Sequence, residues 1–307
     1  MRRIKALALL TALTLGTAGS PQAAAAPAPE PPSPVNRPAE VSALRVNTFE
    51  RPASGSAYTR AAWQTDGWTA AWDEGFSSRS WIDGVNFHHN GSKSLRIFYP
   101  KGKIGPADSG AQIPLDLSSA REYYVSQWVR FSSDFSWGTT EFAGKVGVGL
   151  AGGAACSGGD PCNGYNGFTV RPIWRSGGQA AIYYYSMNHA GEYGDYLNLT
   201  NAAGAGIKWP RGSWVNIVQR VRVNTVTNGN ANADGQIQVW FNGVSAASIS
   251  GLRFVRNGDL INRAYFSSFA GGATASFAPA NDSWIWYDDL KVSTVRSDIC
   301  ELSTGGC

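Results

Sequence analysis

Residues 144–196 read GKVGVGLAGG, then a cysteine-bracketed loop from Cys156 to Cys162, then GFTVRPIWRSGGQAAIYYYSMNHAGEYGDY. Three runs in this stretch have the two-residue period of a β-strand, in which successive side chains point to opposite faces of a sheet. In the first, Lys145, Gly147 and Gly149 fall on one face and Val146, Val148 and Leu150 on the other. The apolar set has the character of core. The opposite face is a lysine followed by bare backbone, which lets a flat ligand come close. In the second run Thr169 and Arg171 share a face against Phe168 and Val170; in the third, Tyr183 and Tyr185 share one against Ile182 and Tyr184.

Arg175-Ser176-Gly177-Gly178-Gln179 between the last two runs is a hairpin signal. Its loop length decides whether the polar faces coincide, because directly opposed residues of an antiparallel pair share a face. A two-residue Gly177-Gly178 turn opposes Arg171 to Tyr184 and sends Tyr183 and Tyr185 away. A three-residue loop, Ser176 to Gly178, opposes Arg171 to Tyr183 and Thr169 to Tyr185. We expect the odd loop, which gathers a lysine, a guanidinium, a hydroxyl and two phenols on one concave face. Such a face suits an acidic sugar polymer.

The same residues carry a family resemblance. GKVGVGLAGG, FTVRPIWR and IYYYSMNHAGEYG resemble polysaccharide lyase family 14, the alginate and glucuronan lyases with a β-jelly-roll fold, across residues 45–295. That family's pattern is a catalytic lysine, Ser-x-Arg, and Tyr-x-Tyr about twelve residues beyond the arginine; Lys145, Arg171, Tyr183 and Tyr185 match it. Position 169 departs from it, with Thr for Ser; the hydroxyl survives, but the branched carbon stiffens the rotamer. The resemblance implies a secreted enzyme that cleaves a polyuronate by β-elimination, with Lys145, Arg171, Tyr183, Tyr185 and Thr169 as catalytic residues. Trp174, Arg175, His189 and Tyr193 flank the motif and are candidates to bind substrate, with Trp209 a further aromatic near its basic flank. Either Lys145 takes the proton itself, or it stabilises the enolate-like charge while a tyrosine shuttles the proton. Arg171 would lower the pKa of both groups.

Outward from this centre the chain reads as one all-β sandwich. Runs at Arg45–Phe49, Ser94–Tyr99, Tyr123–Phe131, Trp214–Val223, Gln236–Phe241, Ala264–Phe269 and Trp284–Val292 have strand character, with Asn-Gly and Gly-Gly turn signals between them. Long helical periodicity is absent. We expect a single jelly-roll sandwich of the concanavalin A-like kind over residues 45–295. Before it come a secretory leader (1–26), with a basic start, a short apolar run and small residues, and a Pro-rich linker (27–44). Of the 26 lysines and arginines, three lie in that leader, and 22 acids oppose the rest. The mature chain is thus close to neutral, which argues against nucleic acid as a partner. The leader's apolar run is too short to span a bilayer comfortably, so we expect a soluble, extracellular monomer.

Four cysteines in an exported chain favour disulfides over metal sites. Sequence proximity pairs Cys156 with Cys162 and Cys300 with Cys307, the latter closing a tail at 296–307. Asp160 and the loop from Asn228 to Asp234 offer oxygen donors without a calcium-loop spacing. No cofactor is expected, and a structural calcium is left open. His88 and His89 read as surface residues, and Asp288-Asp289 as structural. Two other functions fit parts of the pattern. A non-catalytic carbohydrate-binding module explains the aromatics and the basic face, but does not require Lys, Arg and two Tyr at these spacings. A glycoside hydrolase needs paired carboxylates, and Glu141 and Glu192 form no recognisable pair.

Overall fold

The computed structural model describes residues 44–139, 142–187, 189–300 and 307. The expected leader, residues 27–43 of the linker and residues 301–306 of the tail lie outside the described residues. What alternation predicts as strand is strand: Ser94–Tyr99 coincides, and Glu122–Phe131, Trp214–Arg222, Gly235–Phe241 and Ser283–Ser293 differ only at their ends. No helix among the described residues is long and apolar enough to cross a membrane.

Apart from a short hairpin pairing Val226–Thr227 with Asn230–Ala231, the strands form two antiparallel sheets of a jelly-roll sandwich. The back sheet runs in the order Val244–Leu252, Gly235–Phe241, Trp214–Arg222, Glu122–Phe131, Ser283–Ser293, Ser94–Tyr99, Ser80–Asp83, with Arg45–Asn47 also paired to Ser283–Ser293. The front sheet runs Asp195–Asn198, Ala180–Tyr185, Phe168–Arg175, Phe142–Lys145, Ile261–Ala270, Ala111–Ala120; Val148–Gly152 continues beyond Lys145 between the same two neighbours. Ala111–Ala120 contains Pro114, a residue that argues against a strand on sequence alone. It is tolerated because this strand is an edge, where a missing N–H leaves no ladder bond unmade.

Between the sheets lies a core rich in aromatic rings. Trp63, on the short helix Arg60–Thr65, meets Phe49, Tyr58, Trp68 and Phe76 edge-on at centroid separations of 4.9–6.1 Å. A second cluster joins Tyr99, Phe131, Phe135, Trp137 and Trp174. Trp209 packs into the same cluster against Phe131. Edge-to-face pairs of this kind add to the burial that drives folding.

Two buried glutamines tie the sheets together. Gln127 of the back sheet crosses the core, and its amide both donates to the Val148 carbonyl (3.0 Å) and accepts from the Val148 N–H (2.9 Å). Gln219 donates to the Val170 carbonyl at 3.2 Å. The Val148 contact sits where the front strand is interrupted. Lys145 pairs with Ile173 and Leu150 with Val170, so five steps on one strand match three on the other. Gly147 takes up the slack with φ 60°, and a Cβ there would lie 2.1 Å from Gln127 Oε1 and 2.7 Å from the Tyr287 ring. The expectation that Lys145, Gly147 and Gly149 share a face is therefore corrected. Lys145 and Gly149 do share it, whereas Gly147 is turned into the core.

This junction gives a stability prediction. Replacing Gln127 with Leu leaves the Val148 N–H and C=O without their partner inside the core, at roughly 1–3 kcal/mol for each group. Gly147→Ala adds a left-handed penalty of about 1–2 kcal/mol to a contact that cannot be accommodated. Both variants should lower the urea midpoint with an unchanged slope, and a wild-type midpoint in either would overturn the assignment.

Candidate active site

The hairpin between Phe168–Arg175 and Ala180–Tyr185 has the three-residue loop, Ser176–Gly178, with Gly177 and Gly178 both at positive φ. Its register opposes Arg171 to Tyr183 and Thr169 to Tyr185. On the other side Gly149 faces Tyr265, and a Cβ on Gly149 would lie 3.0 Å from Arg171 Cγ. Lys145 is opposed to Ile173 and to Phe269. The outer face of the front sheet therefore presents Tyr183, Arg171 and Lys145 on successive strands, with Tyr265 one strand further. Tyr184, on the alternate face, packs into the core.

Arg171 is 5 % exposed, and its guanidinium carbon lies 5.8 Å from the Tyr183 ring centroid and 5.9 Å from that of Tyr265. Among the described residues no carboxylate pairs with it, and its Nε has no hydrogen-bond partner. Burial pulls its pKa down, and the three neighbouring phenols, Tyr265, Tyr183 and Tyr185, oppose that shift. A buried cation left without an anion is costly unless something supplies one.

Lys145 is half-buried, with Nζ donating to the Gly271 carbonyl at 3.3 Å and lying 5.0 Å from the Phe269 ring centroid. Burial first, and then the positive charge of Arg171, bring its pKa down to about 7. Both causes penalise the ammonium form. The phenols behave oppositely. The Tyr183 hydroxyl lies 2.8 Å from that of Tyr185 and accepts from the Gly194 N–H at 3.1 Å. Burial, then the bond and charge of Tyr185, push Tyr183 above the ordinary tyrosine range, with Arg171 opposing.

The remaining expected residues divide. Thr169 is fully buried, and its hydroxyl donates to the Cys156 carbonyl at 3.1 Å. Expected among the catalytic residues, it is placed beneath the exposed face, where its hydroxyl holds the loop. Trp174 is 1 % exposed and its indole N–H donates to the Trp137 carbonyl. Strand alternation puts it on the core face, one residue out of phase with Ile173 and Arg175. Trp209 is likewise core, its N–H donating to the Ile173 carbonyl. Arg175 does lie on the outer face, bonded to Asn198 Oδ1 at 3.0 Å with its guanidinium 3.9 Å from the Tyr196 ring centroid. His189 sits edge-on to Tyr185 at 5.4 Å, and Nδ1 pairs with the Gly191 carbonyl. Tyr193 is half exposed, beside the Cys156–Cys162 loop at Gly159.

A cavity of about 280 Å³ opens beside these last residues, lined by Gly159, Pro161, Cys162, Asn163, His189, Gly191 and Glu192. Both expected disulfides, Cys156–Cys162 and Cys300–Cys307, are formed. Glu141 lies outside the described residues. No group of three or more His, Cys, Asp or Glu among the described residues is arranged to hold a metal ion. The sequence reading missed Tyr265, Phe269 and the Gly194 N–H. The alternation in AYFSSF puts Tyr265 and Phe269 on one face, but nothing local says that this strand adjoins that of Lys145.

No protein of curated function matches the chain in sequence. Among solved structures, alginate lyase Aly36B bound to an alginate tetrasaccharide, as a double mutant, is 25% identical at a TM-score of 0.67, with 82% of this chain and 97% of that one covered. The marine PL-14 alginate lyase from Aplysia kurodai is 24% identical at a TM-score of 0.61, over 79% of this chain and 97% of that chain. Alginate lyase vAL-1 from Chlorella virus shares the fold at 18% identity and a TM-score of 0.60, covering 76% and 97%. The sequence profile described as Polysaccharide lyase 14 matches residues 88–290, a span that contains Lys145, Arg171 and both tyrosines, and the chain belongs to that polysaccharide lyase family.

Proposed function

We propose that this polysaccharide lyase is exported and cleaves a uronic-acid polymer, alginate or glucuronan, by β-elimination at the outer face of the front sheet. The observation that carries the reading is Arg171, a buried guanidinium without a carboxylate partner among the described residues. The carboxylate at C6 of a uronate supplies the missing anion, and the planar fork of arginine can hold it through two hydrogen bonds. The complex of Aly36B with an alginate tetrasaccharide supports an acidic polysaccharide as the substrate class. The basic leader of residues 1–26 supports export.

Charge offset at the carboxylate acidifies the adjacent C5–H. Lys145, held near neutrality as a free amine, takes that proton. The electron pair of the broken C5–H bond becomes the C4=C5 double bond, and the C4–O4 bond breaks. Tyr183 gives its proton to the departing O4, leaving a phenolate that the Gly194 N–H and the Tyr185 hydroxyl are positioned to stabilise. No water is consumed. Tyr183, Arg171 and Lys145 lie on three consecutive strands, so the acid and the base stand on either side of the carboxylate fork at about 4.8 Å per strand.

Arg171→Lys should be nearly as damaging as Arg171→Ala, because an ammonium keeps the charge and loses the fork. Loss of one preorganised donor costs on the order of 3 kcal/mol, a rate loss of about a hundredfold or more. Folded Lys145→Ala should lose turnover and keep most of its polymer affinity. Steady-state absorbance at 235 nm, where the unsaturated uronate product absorbs, checks both; full activity in either variant overturns the assigned roles.

The pH profile should follow the free amine. Below pH about 7 Lys145 carries its proton and cannot accept another, so kcat/KM should climb with unit slope and level off above it. Tyr183 is pushed up, so the acid stays protonated and no falling limb should appear until beyond the ordinary tyrosine value of ~10. A rise centred near pH ~10 instead would hand the role of base to a phenol.

A further inference from the structure

The outer face of the back sheet carries a cavity that the reaction does not use. It measures about 600 Å³, within the usual range for small-ligand sites, and three neighbouring strands build its floor. Trp128 comes from Glu122–Phe131, Trp214 and Asn216 from Trp214–Arg222, and Asp289 and Lys291 from Ser283–Ser293. The register sets Trp128 opposite Asn216 on one side and Asp288 on the other. The side wall is His89, whose ring stacks on Trp128 at 3.6 Å with Trp214 edge-on at 6.0 Å.

The polar groups are held in place. Ser283–Ser293 slips register between Asp288 and Lys291, with Asp289 at φ 46°, a conformation rare for a non-glycine residue. The slip brings the Asp289 carboxylate within 2.8 Å of His89 Nδ1. Asp288, 1 % exposed, accepts from the backbone N–H groups of His89 and Asn90 and fixes the wall from below. Asn216 donates to Ser126 Oγ at 3.0 Å. Among the described residues, the Lys291 side chain makes no ion pair or hydrogen bond, so the wall's carboxylate is engaged by His89 while the floor's ammonium is not.

We propose that this cavity is a second saccharide site, outside the reaction centre, that holds an acidic sugar unit of the polymer. The ring lies against Trp214, whose flat apolar face with a polar rim matches a pyranose. The uronate carboxylate pairs with Lys291, and hydroxyls meet Asn216 and Asp289. The site is on the outer face of the opposite sheet, and sheets pack about 10 Å apart, so a sugar bound there touches neither Lys145 nor Arg171. The choice of an acidic sugar rests on the polyuronate reading of the front face; the existence of the site does not. Two sites on one chain raise the local concentration of polymer without any new contact at the reaction centre.

Calorimetric titration of an alginate trisaccharide into the full-length Lys145→Ala protein tests this. Two trisaccharides per chain are expected, falling to one when Lys291→Glu is added, with the lost site at least ~tenfold weaker. The half-buried Lys291 side chain bonds to no described group, so its reversal should leave the fold intact, and circular dichroism checks that; Trp214→Ala is the second route to the same loss. In the otherwise wild-type enzyme Lys291→Glu should leave kcat/KM for the trisaccharide unchanged and raise KM for long alginate. A stoichiometry of one that Lys291→Glu leaves unchanged, or of two that neither variant reduces, overturns the second site; a stoichiometry of one that Lys291→Glu abolishes keeps the second site and counts against the front-face reading. Equal filling of the second site by neutral cellohexaose overturns its preference for acidic sugars. Binding is read here without turnover, so a failure of the elimination chemistry would not be mistaken for a failure of this site.

Discussion

The pairing of one buried glutamine amide with the N–H and C=O of Val148 is the constraint on which the front face depends. A strand that carries Lys145 and then continues to Gly149 has to lose its ladder to Phe168–Arg175 somewhere, because the two strands differ by two residues between their paired ends. Backbone groups freed inside a core must find partners. Gln127 provides both a donor and an acceptor from the opposite sheet, and the absence of a side chain at Gly147 makes room for it. With that junction closed, Lys145 stays in step with Phe269 and Gly149 with Tyr265. The lysine and the arginine thereby reach the same surface from neighbouring strands.

That surface is electrostatically one-sided. A guanidinium and an amine sit on adjacent strands, and phenols rather than carboxylates surround the guanidinium. Acidic neighbours would neutralise Arg171 and raise Lys145, removing both the anion-binding fork and the free amine that proton abstraction needs. The phenols contribute hydroxyl groups without a competing charge. Burial alone then does much of the tuning, lowering Lys145 and raising Tyr183 in directions that separate a base from an acid near neutral pH.

Much of this was legible in the sequence because it is local. The odd Ser176–Gly178 loop fixes the Arg171–Tyr183 register, and the paired glycines at positive φ are visible as residue types. The two short-range disulfides follow from proximity. What could not be read is non-local or depends on a break in periodicity. Alternation runs straight through Gly147, whereas the chain inverts there, where a glutamine twenty residues earlier in the sequence enters from the other sheet. Nearness to Arg171 and Arg175 points Trp174 at the site, although its parity with Phe168 and Val170 assigns it to the core side. Tyr265 required knowing that Ile261–Ala270 lies beside the lysine strand, which is a matter of topology.

Thr169 shows how a residue can matter at this face without touching a sugar. Its hydroxyl donates to the carbonyl of Cys156, the first residue of the disulfide-closed loop. Cys156 and Cys162 pack on Tyr185, with Tyr183 at the margin of the same cluster. At the loop's return Gly167 stands so close to Gly152 that a Cβ would meet its carbonyl oxygen at 2.0 Å. Hydroxyl, disulfide and glycine together press the loop onto one phenol and leave the other half-exposed, with the Tyr185 hydroxyl as its partner. Either serine or threonine can make the bond to Cys156, so the departure at 169 from the serine of the family pattern preserves the part of the side chain that the loop uses. The branched methyl is accommodated because the position is interior, between Ala151 and Tyr185 in the ladder, where a stiff rotamer costs little.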